Sequence, residues 1–255
     1  MVARLLKGLF RHLGVDIRRA EHRRNIFFER PAWEYQSKVI LPHYSKGQKV
    51  IDIGCGAAPS PISSILTDFF PDHSPHRARA LVEDRPVIIC SAERMPIRDQ
   101  FFDISICSHV LEHVPNPERA VSELARISRS GYVETPAYGK DILVGTGHQH
   151  IWQVVDDNGL LHFFAYTARQ HEAHSSSPMM ALWCQEDFHP WQPYFWDRQD
   201  LFNAIQFWES SPRIRVHRAS TSVAAAPAPW RPVDSASLPG LPPSLTPSEI
   251  ELLQE

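Results

Sequence analysis

The most informative stretch of the sequence is VIDIGCGAAP, residues 50–59, in which a short apolar run leads into a turn with two glycines. Such a run, bounded by glycine, is typical of a buried strand. Gly54 and Gly56 allow the backbone to bend tightly and a ligand to approach it without an intervening side chain. Asp52 precedes them at the carboxyl end of the predicted strand, where open α/β sheets bind their ligands. We therefore predict a buried strand that ends in a binding turn.

The residues of this turn favour a cationic ligand over a dinucleotide. A dinucleotide-binding turn follows the pattern G-x-G-x-x-G, and Pro59 occupies the place of its last glycine. This disfavours a nicotinamide-dependent oxidoreductase. The carboxylate of Asp52 suits a positively charged group instead, such as the amino group of an amino-acid moiety near a sulfonium. A turn with a purely structural role is the alternative, because G-x-G after a strand is a weak signal by itself.

Around this stretch, short apolar runs alternate with helical or loop segments from residue 48 to residue 135, a pattern typical of a parallel sheet. Asp68 ends the second run, where a carboxylate can accept both hydroxyls of a ribose. Asn116 and Pro117 predict the start of a helix, as its cap and first residue, and Gly131 follows the predicted end. The predicted strands are QKVIDIG, ISSILTDFF, RPVIIC, FFDISICSHV and GYVETP.

The chain beyond the fifth strand predicts an antiparallel addition to the sheet. Two apolar runs, residues 151–155 and 160–166, are joined by DDNG, which favours a hairpin. We expect this hairpin at the far edge of the sheet, with RIRVH at residues 213–217 as a candidate for its last strand. Residues 188–208 are rich in aromatic side chains, which suit either a lid over a substrate or a core or subunit interface.

Composition places the 255-residue chain among globular proteins, with 43% hydrophobic residues and a formal net charge of -3. That charge excludes binding of nucleic acid by bulk charge alone. The sequence contains no apolar run of membrane-spanning length and no secretion signal, so we predict a cytoplasmic protein. The four cysteines lie far apart in the sequence, which indicates reduced thiols rather than a zinc or redox motif.

The two ends differ from the centre in composition. Residues 1–30 predict a basic amphipathic helix, which either caps the core or makes peripheral contact with an anionic membrane surface. Residues 219–255 form a Pro/Ala/Ser-rich tail, and Thr246 and Pro247 predict a short C-terminal helix within it. The main domain is expected to span residues 31–218.

The segment IICSAERMPIRDQFFDISICSHVLEHVPNPERAVSELARI, residues 88–127, adds a third strand, a loop, a fourth strand and a helix. With the glycine turn, it resembles the class I S-adenosylmethionine-dependent methyltransferases, in the group of small-molecule enzymes with the signature AE-x-(L/M)-P-(F/I)…FD…CSHVLEHV-x-(D/N)-P. The resemblance covers residues 48–136. It implies an α/β fold with a doubly wound, mostly parallel, seven-stranded Rossmann-like sheet and an antiparallel edge hairpin.

The resemblance implies S-adenosyl-L-methionine as cofactor and assigns each part of it to residues of this chain. The glycine turn would surround the methionine portion, the second strand would supply the ribose carboxylate, and the loop after the third strand would lie beside the adenine, with Met95 as an apolar face. The end of the fourth strand would lie near the methyl group. The implied cofactor residues are Asp52, Gly54, Gly56, Asp68, Ser91, Ala92, Glu93 and Ser108.

Three features depart from the pattern of this family. Ala58 replaces the third glycine of the turn, and Ser91 stands where aspartate is common. The connection between the first two strands is short and contains two prolines, so its helix must be very short or irregular. If that crossover could not form, Glu83 or Asp84 would replace Asp68 in the ribose role.

The implied activity is methyl transfer to a small-molecule acceptor, such as a sugar, a lipid-linked glycan or a natural-product intermediate. His109 and His113 are the candidate catalytic residues, because a nearly neutral histidine can act as a general base toward a hydroxyl. Further candidates for acceptor binding are Glu134, Tyr138, His148 and His150.

The alternative is a catalytically inactive, methyltransferase-like binding or scaffold protein, which the three departures support. Nucleic-acid acceptors are disfavoured, because CSHVLEH stands in place of the (N/D)-P-P-(Y/F) turn of enzymes that methylate the amino groups of nucleic-acid bases. The HQH sequence at residues 148–150 suggests a metal pair, but spacing places no third ligand, so no metal is predicted. Association with further copies of the chain is left open.

Overall fold

The computed structural model describes residues 31–72, 79–145, 150–174 and 191–218. The predicted N-terminal helix at residues 1–30 and the tail at residues 219–255 lie outside the described residues. Among those that are described, no helix is long and apolar enough to cross a membrane. Cys55 and Cys107 are buried and Cys90 is partly buried, while Cys184 lies outside the described residues.

The described residues form short helices and strands, and four successive strands follow the first helix before the next described helix begins. A 3-10 turn, Leu41–His43, follows the first helix. The elements in chain order are α1 (Trp33–Ile40), β1 (Val50–Ile53), β2 (Ile65–Asp68), β3 (Val87–Ile89), β4 (Phe102–Ser108), α2 (Pro117–Ile127), β5 (Ser128–Pro136), α3 (Tyr138–Val144), β6 (Trp152–Asp157), β7 (Leu160–Ala165), α4 (Ala168–His174), α5 (Trp191–Asp197), α6 (Gln199–Phe202), β8 (Asn203–Glu209) and β9 (Ile214–His217).

The central sheet has six strands in the order β3-β2-β1-β4-β5-β8. Its first five strands are parallel, and β8 runs antiparallel to β5. All four residues of β1 are buried, as expected for a strand covered on both faces. Ile40 of α1 packs on one face of the sheet, and Leu124 of α2 belongs to the core on the other. The mostly parallel, doubly wound sheet is therefore confirmed, with all five predicted strands in place.

Within the described residues the central sheet has six strands instead of the predicted seven, and the predicted hairpin does not lie at its edge. The hairpin β6–β7 forms where expected, but it pairs with β9 in a separate three-stranded sheet. Leu161 and Phe163 of this small sheet share a core with Leu124, so the sheet covers a face of the domain instead of extending its edge. The antiparallel edge strand is β8, from the end of the aromatic segment, whose residues pair along β5 from Pro136 to Ser130.

The short connection between β1 and β2 is irregular, as predicted, because residues 54–64 contain turns and no helix. Arg85 fixes this connection by donating hydrogen bonds to the backbone oxygens of Ser60 at 3.1 Å and Ser63 at 2.8 Å. Ala58 is not among the described residues with positive φ, so the missing third glycine causes no left-handed strain. The parallel crossover is thus compatible with this sequence.

The predicted helix at Asn116 is confirmed as α2. The Asn116 side chain accepts a hydrogen bond from the backbone nitrogen of Arg119 at 3.1 Å, which is the expected capping contact. Gly131 has a different role from the one predicted, because the helix passes directly into β5 and Gly131 lies inside that strand. The buried face of the helix consists of Ala120, Val121, Leu124 and Ile127.

Gly131 allows three strands to approach closely, so Gly131→Ala should lower the free energy of unfolding by about 1–3 kcal/mol. An added Cβ would overlap the backbone oxygen of Ser105 and lie 2.7 Å from Cζ2 of Trp208. Denaturant unfolding measures the loss. The control is Gly139→Ala in α3, where nothing lies within 4 Å of the added Cβ and helix propensity favours alanine. Equal stability of the Gly131 variant and the parent would contradict the packing described here.

Candidate cofactor and acceptor site

A cavity of about 740 Å³ opens at the carboxyl ends of the parallel strands. This is the expected place for a ligand in an open α/β sheet, and the volume suits a small molecule. The structure brings together in its wall the eight implied cofactor residues, though not Met95, together with both candidate catalytic histidines. The predicted residues in the wall are Asp52, Gly54, Gly56, Asp68, Ser91, Ala92, Glu93, Ser108, His109, His113 and His150.

The turn after β1 depends on its glycines. Gly54 has φ +68° and Gly56 has φ +55°, a region that favours glycine. A Cβ on Gly54 would also collide with Cγ2 of Val110, which begins the loop after β4. The glycines thus bring the turn against the neighbouring loop and leave its backbone accessible to the cavity.

Asp52 is a buried carboxylate at the base of this turn, 5% exposed. One of its oxygens accepts a hydrogen bond from the backbone nitrogen of Ser60 at 2.6 Å. Burial raises the pKa of Asp52 to about 7, although the Ser60 hydrogen bond and the Arg85 charge act in the opposite direction. A cationic ligand group next to Asp52 would stabilise its ionised form.

Asp68 lies at the end of β2, next to the same turn. Its oxygens accept hydrogen bonds from the backbone nitrogens of Gly56 at 3.1 Å and Phe70 at 2.9 Å, which fix the carboxylate against the cavity. A carboxylate has about four acceptor sites, so these two hydrogen bonds do not by themselves saturate it. Glu83 and Asp84, the alternatives for this role, are exposed and do not line the cavity.

The loop after β3 lines the cavity beside Asp68. The Ser91 hydroxyl accepts a hydrogen bond from the backbone nitrogen of Glu93 at 3.1 Å, and the Glu93 carboxylate accepts one from the backbone nitrogen of Asn116 at 2.5 Å. The loop is therefore tied to the cap of α2. Met95 does not form the expected apolar face, because it is 4% exposed and packs in the core rather than in the cavity wall.

Phe69 and Phe70 supply the apolar surface instead. Both line the cavity, and their side chains are 60% and 36% exposed. Sequence reasoning missed them because they were grouped with the second strand. The sequence does show two consecutive aromatic residues directly after Asp68, the candidate for binding the ribose. Because the strand ends there, these side chains need not be buried in the core.

His109 lies between two carboxylates at the end of β4. Its Nε2 is 3.1 Å from Oε1 of Glu134 and its Nδ1 is 3.3 Å from Oε1 of Glu112. Burial and Lys140 lower the pKa of His109, but the contacts with the two carboxylates outweigh them and raise it to about 9. The imidazole is therefore cationic at neutral pH, which differs from the nearly neutral histidine expected from the sequence.

Glu134 lies behind the cavity wall and does not line it. It is fully buried and accepts hydrogen bonds from Tyr35 at 2.6 Å, Tyr132 at 2.7 Å and Asn203 at 2.6 Å. Burial raises its pKa, but His109 and the hydroxyl donors lower it to about 2. Glu134 thus positions His109 instead of meeting the acceptor directly, and Tyr138 is also absent from the lining.

The remaining predicted acceptor residues are the two histidines of HQH. His148 lies outside the described residues. His150 lines the cavity next to His113, with the ring centroids 4.9 Å apart. Glu112, which sequence reasoning quoted only as part of a signature, is the buried carboxylate beside them.

In the comparison with protein families, residues 51–133 fit the profile of a family described as a methyltransferase domain. The match covers less than half of the chain. The search of curated proteins finds no significant match.

Solved structures with a similar arrangement include the YcgJ protein from Bacillus subtilis, which is 22% identical with a TM-score of 0.34 over 42% of this chain and 50% of that chain. A SAM-dependent methyltransferase from Thermotoga maritima is 21% identical with a TM-score of 0.33 over 44% of this chain and 56% of that chain. The chain thus spans about half the length of each.

The sheet order, the glycine turn and the carboxylate at the end of β2 define an α/β domain with a cavity at its strand ends, where open α/β sheets bind ligands. The family match is more specific and supports the resemblance over residues 51–133, the part of the chain that fits the profile of a methyltransferase domain.

Proposed function

We propose that the chain transfers a methyl group from S-adenosyl-L-methionine to a small-molecule acceptor, with a sugar, a lipid-linked glycan or a natural-product intermediate as the candidate classes. The observation that supports this most strongly is a cavity whose wall contains the eight implied cofactor residues. The acceptor class itself rests on the sequence, which lacks the motifs of enzymes that methylate nucleic acids.

The residues of the cavity suit this cofactor in the order in which their strands lie in the sheet. Phe69 and the loop of residues 91–93 offer an apolar surface and polar groups for an adenine, and Asp68 offers acceptors for a ribose. Asp52 and the glycine turn suit a cationic amino-acid group. Ser108, at the end of β4, is next along the sheet, so the acceptor would enter on the side of β4 and β5.

When bound, the cofactor supplies an electrophilic methyl group on a sulfonium. The residues of the chain then mainly have to align the acceptor and exclude water, because this transfer is an in-line displacement. A cationic His109, whose two ring nitrogens already contact Glu112 and Glu134, would not act as the general base. His113 is the remaining candidate for a general base toward a hydroxyl acceptor.

Isothermal titration of the full chain with S-adenosylhomocysteine tests the proposal. We expect saturable binding in the micromolar range with one ligand per chain, and no binding of nicotinamide dinucleotides in a parallel titration. Absence of S-adenosylhomocysteine binding by a folded protein would contradict the proposal and favour the inactive scaffold. Ala58 and the irregular crossover do not by themselves support that alternative, since the turn and the cavity are both formed.

A further inference from the structure

We propose that Glu112, His113 and His150 bind a divalent metal ion of the zinc type at the acceptor end of the cavity. Each of the three residues offers one ligand atom, and these atoms lie within 4.8 Å of one another. All three residues line the cavity. Sequence spacing placed no third ligand beside HQH, because Glu112 and His113 come from the loop after β4 and meet His150 only in the folded chain.

The carboxylate of Glu112 is the strongest indication of a missing ligand. It is 1% exposed, yet within the described part of the chain no hydrogen bond of good geometry reaches either of its oxygens. Its Oε1 lies 3.3 Å from Nδ1 of His109 and 3.7 Å from Nε2 of His113. A buried carboxylate without hydrogen bonds is costly, and a metal ion would provide the partner that this carboxylate lacks.

His150 is held as a metal-binding histidine usually is. Its Nδ1 is 3.0 Å from Oδ1 of Asp141, which is 2% exposed, and the other oxygen of Asp141 accepts a hydrogen bond from the Tyr166 hydroxyl at 2.9 Å. This contact places the proton on Nδ1 and leaves the lone pair on Nε2. A carboxylate that orients a histidine in this way is the common second partner of a zinc ligand.

Backbone contacts keep the two parts of the site together. The backbone oxygen of Glu112 accepts hydrogen bonds from the nitrogens of Ile151 at 2.8 Å and Trp152 at 3.2 Å. These bonds join the loop after β4 to the residues that follow His150. The site is therefore built on a fixed connection between two segments that are distant in sequence.

The donor set indicates the type of metal and its use. Two histidines and one glutamate are the ligands of many zinc sites that keep a fourth position open, and tetrahedral ligand atoms at 2.0–2.2 Å from zinc lie about 3.3–3.6 Å apart. The 3.7 Å between Glu112 and His113 is close to that value. The open position would take an oxygen of the acceptor and lower its pKa, so the metal would replace His113 in promoting deprotonation of a hydroxyl acceptor. That use of the metal rests on the proposed function, whereas metal binding itself does not.

The experiment is titration of the full chain with Zn²⁺ after removal of metals with EDTA, and with Co²⁺ as a spectroscopic probe. We expect one tight equivalent of Zn²⁺ and visible absorption bands of tetrahedral Co²⁺. Glu112→Gln and His150→Asn should each weaken Zn²⁺ binding by more than about 100-fold and abolish the Co²⁺ bands. Asp141→Asn should weaken it by about 10- to 100-fold.

The matched control is His162→Asn, because Nδ1 of His162 lies 2.8 Å from Nε2 of His217 in the small sheet, away from the cavity. This variant should bind Zn²⁺ as the parent does. If the parent binds no stoichiometric Zn²⁺, or if only the His162 variant loses it, the inference is overturned. Circular dichroism verifies that each variant is folded. If Glu112→Gln is unfolded, the Zn²⁺ affinities of the His150→Asn and Asp141→Asn variants test the inference instead.

A parallel titration with S-adenosylhomocysteine in EDTA separates the two proposals. Binding of S-adenosylhomocysteine without any binding of Zn²⁺ overturns the metal site and leaves the proposed function intact. Binding of Zn²⁺ that depends on Glu112 and His150, without binding of S-adenosylhomocysteine, supports the metal site and contradicts the proposed function.

Discussion

Asp68→Ala should lower the affinity for S-adenosylhomocysteine by roughly 10- to 150-fold, because a hydrogen bond to a charged group contributes about 1.5–3 kcal/mol. The carboxylate is held by the backbone nitrogens of Gly56 and Phe70, so its position at the cavity wall is fixed before a ligand arrives. Loss of the side chain removes acceptors for the ribose hydroxyls. Isothermal titration measures the change.

Glu83→Ala and Asp84→Ala are the controls for this prediction. Both residues are exposed, and Asp84 pairs with Arg85 at 2.7 Å on the surface, so neither substitution should change cofactor affinity. Asp68 also supports the glycine turn, and thermal unfolding without ligand therefore has to accompany the titration. The prediction would be contradicted if a folded Asp68→Ala variant bound S-adenosylhomocysteine normally while the Glu83 or Asp84 variant bound it more weakly. The ribose would then contact the loop before β3.

The cofactor half of the site could be predicted from the sequence because its signals are local. Gly54 and Gly56 follow directly on the buried strand that they terminate, and Asp68 ends the next strand. In a parallel sheet the ends of neighbouring strands meet at one edge, so residues placed there by a short pattern also meet in space. For the same reason the positions of Ser91 and Ser108 at the cavity follow from their places at the ends of β3 and β4.

The acceptor half could not be predicted in the same way, because it depends on contacts between distant segments. Glu134 lies in β5 and contacts the imidazole of His109, and the side chain of Asn203, in β8, donates a hydrogen bond to Glu134. Neither contact has a sequence pattern. The strand that pairs with the hairpin also comes from a distant part of the sequence. β9 pairs with β7, whereas β8 forms the edge of the main sheet. Strand pairing of this kind is decided by packing rather than by local propensity.

Asp52→Asn should make the ligand-free protein more stable at pH 8, by as much as about 4 kcal/mol, while weakening cofactor binding. Burial raises the pKa of Asp52 from its ordinary 3.8 to about 7. Between these values the folded state holds the proton more tightly than the unfolded state, so stability falls as the pH rises, and the full cost of the buried charge is present above pH 7.

Asparagine removes this cost because it carries no charge, and its side-chain oxygen still accepts the hydrogen bond from Ser60. Denaturant unfolding at pH 5 and pH 8 should show an advantage of the Asp52 variant that grows with pH. Asp99→Asn, at a surface residue paired with Arg126, should change stability by less than about 1 kcal/mol at both pH values.

S-adenosylhomocysteine should bind the Asp52 variant at least about 10-fold more weakly, since a charge-assisted contact with its amino group is lost. An Asp52 variant that is less stable than the parent at pH 8, or that binds S-adenosylhomocysteine equally well, would show that the buried charge is satisfied within the protein and does not serve a cationic ligand.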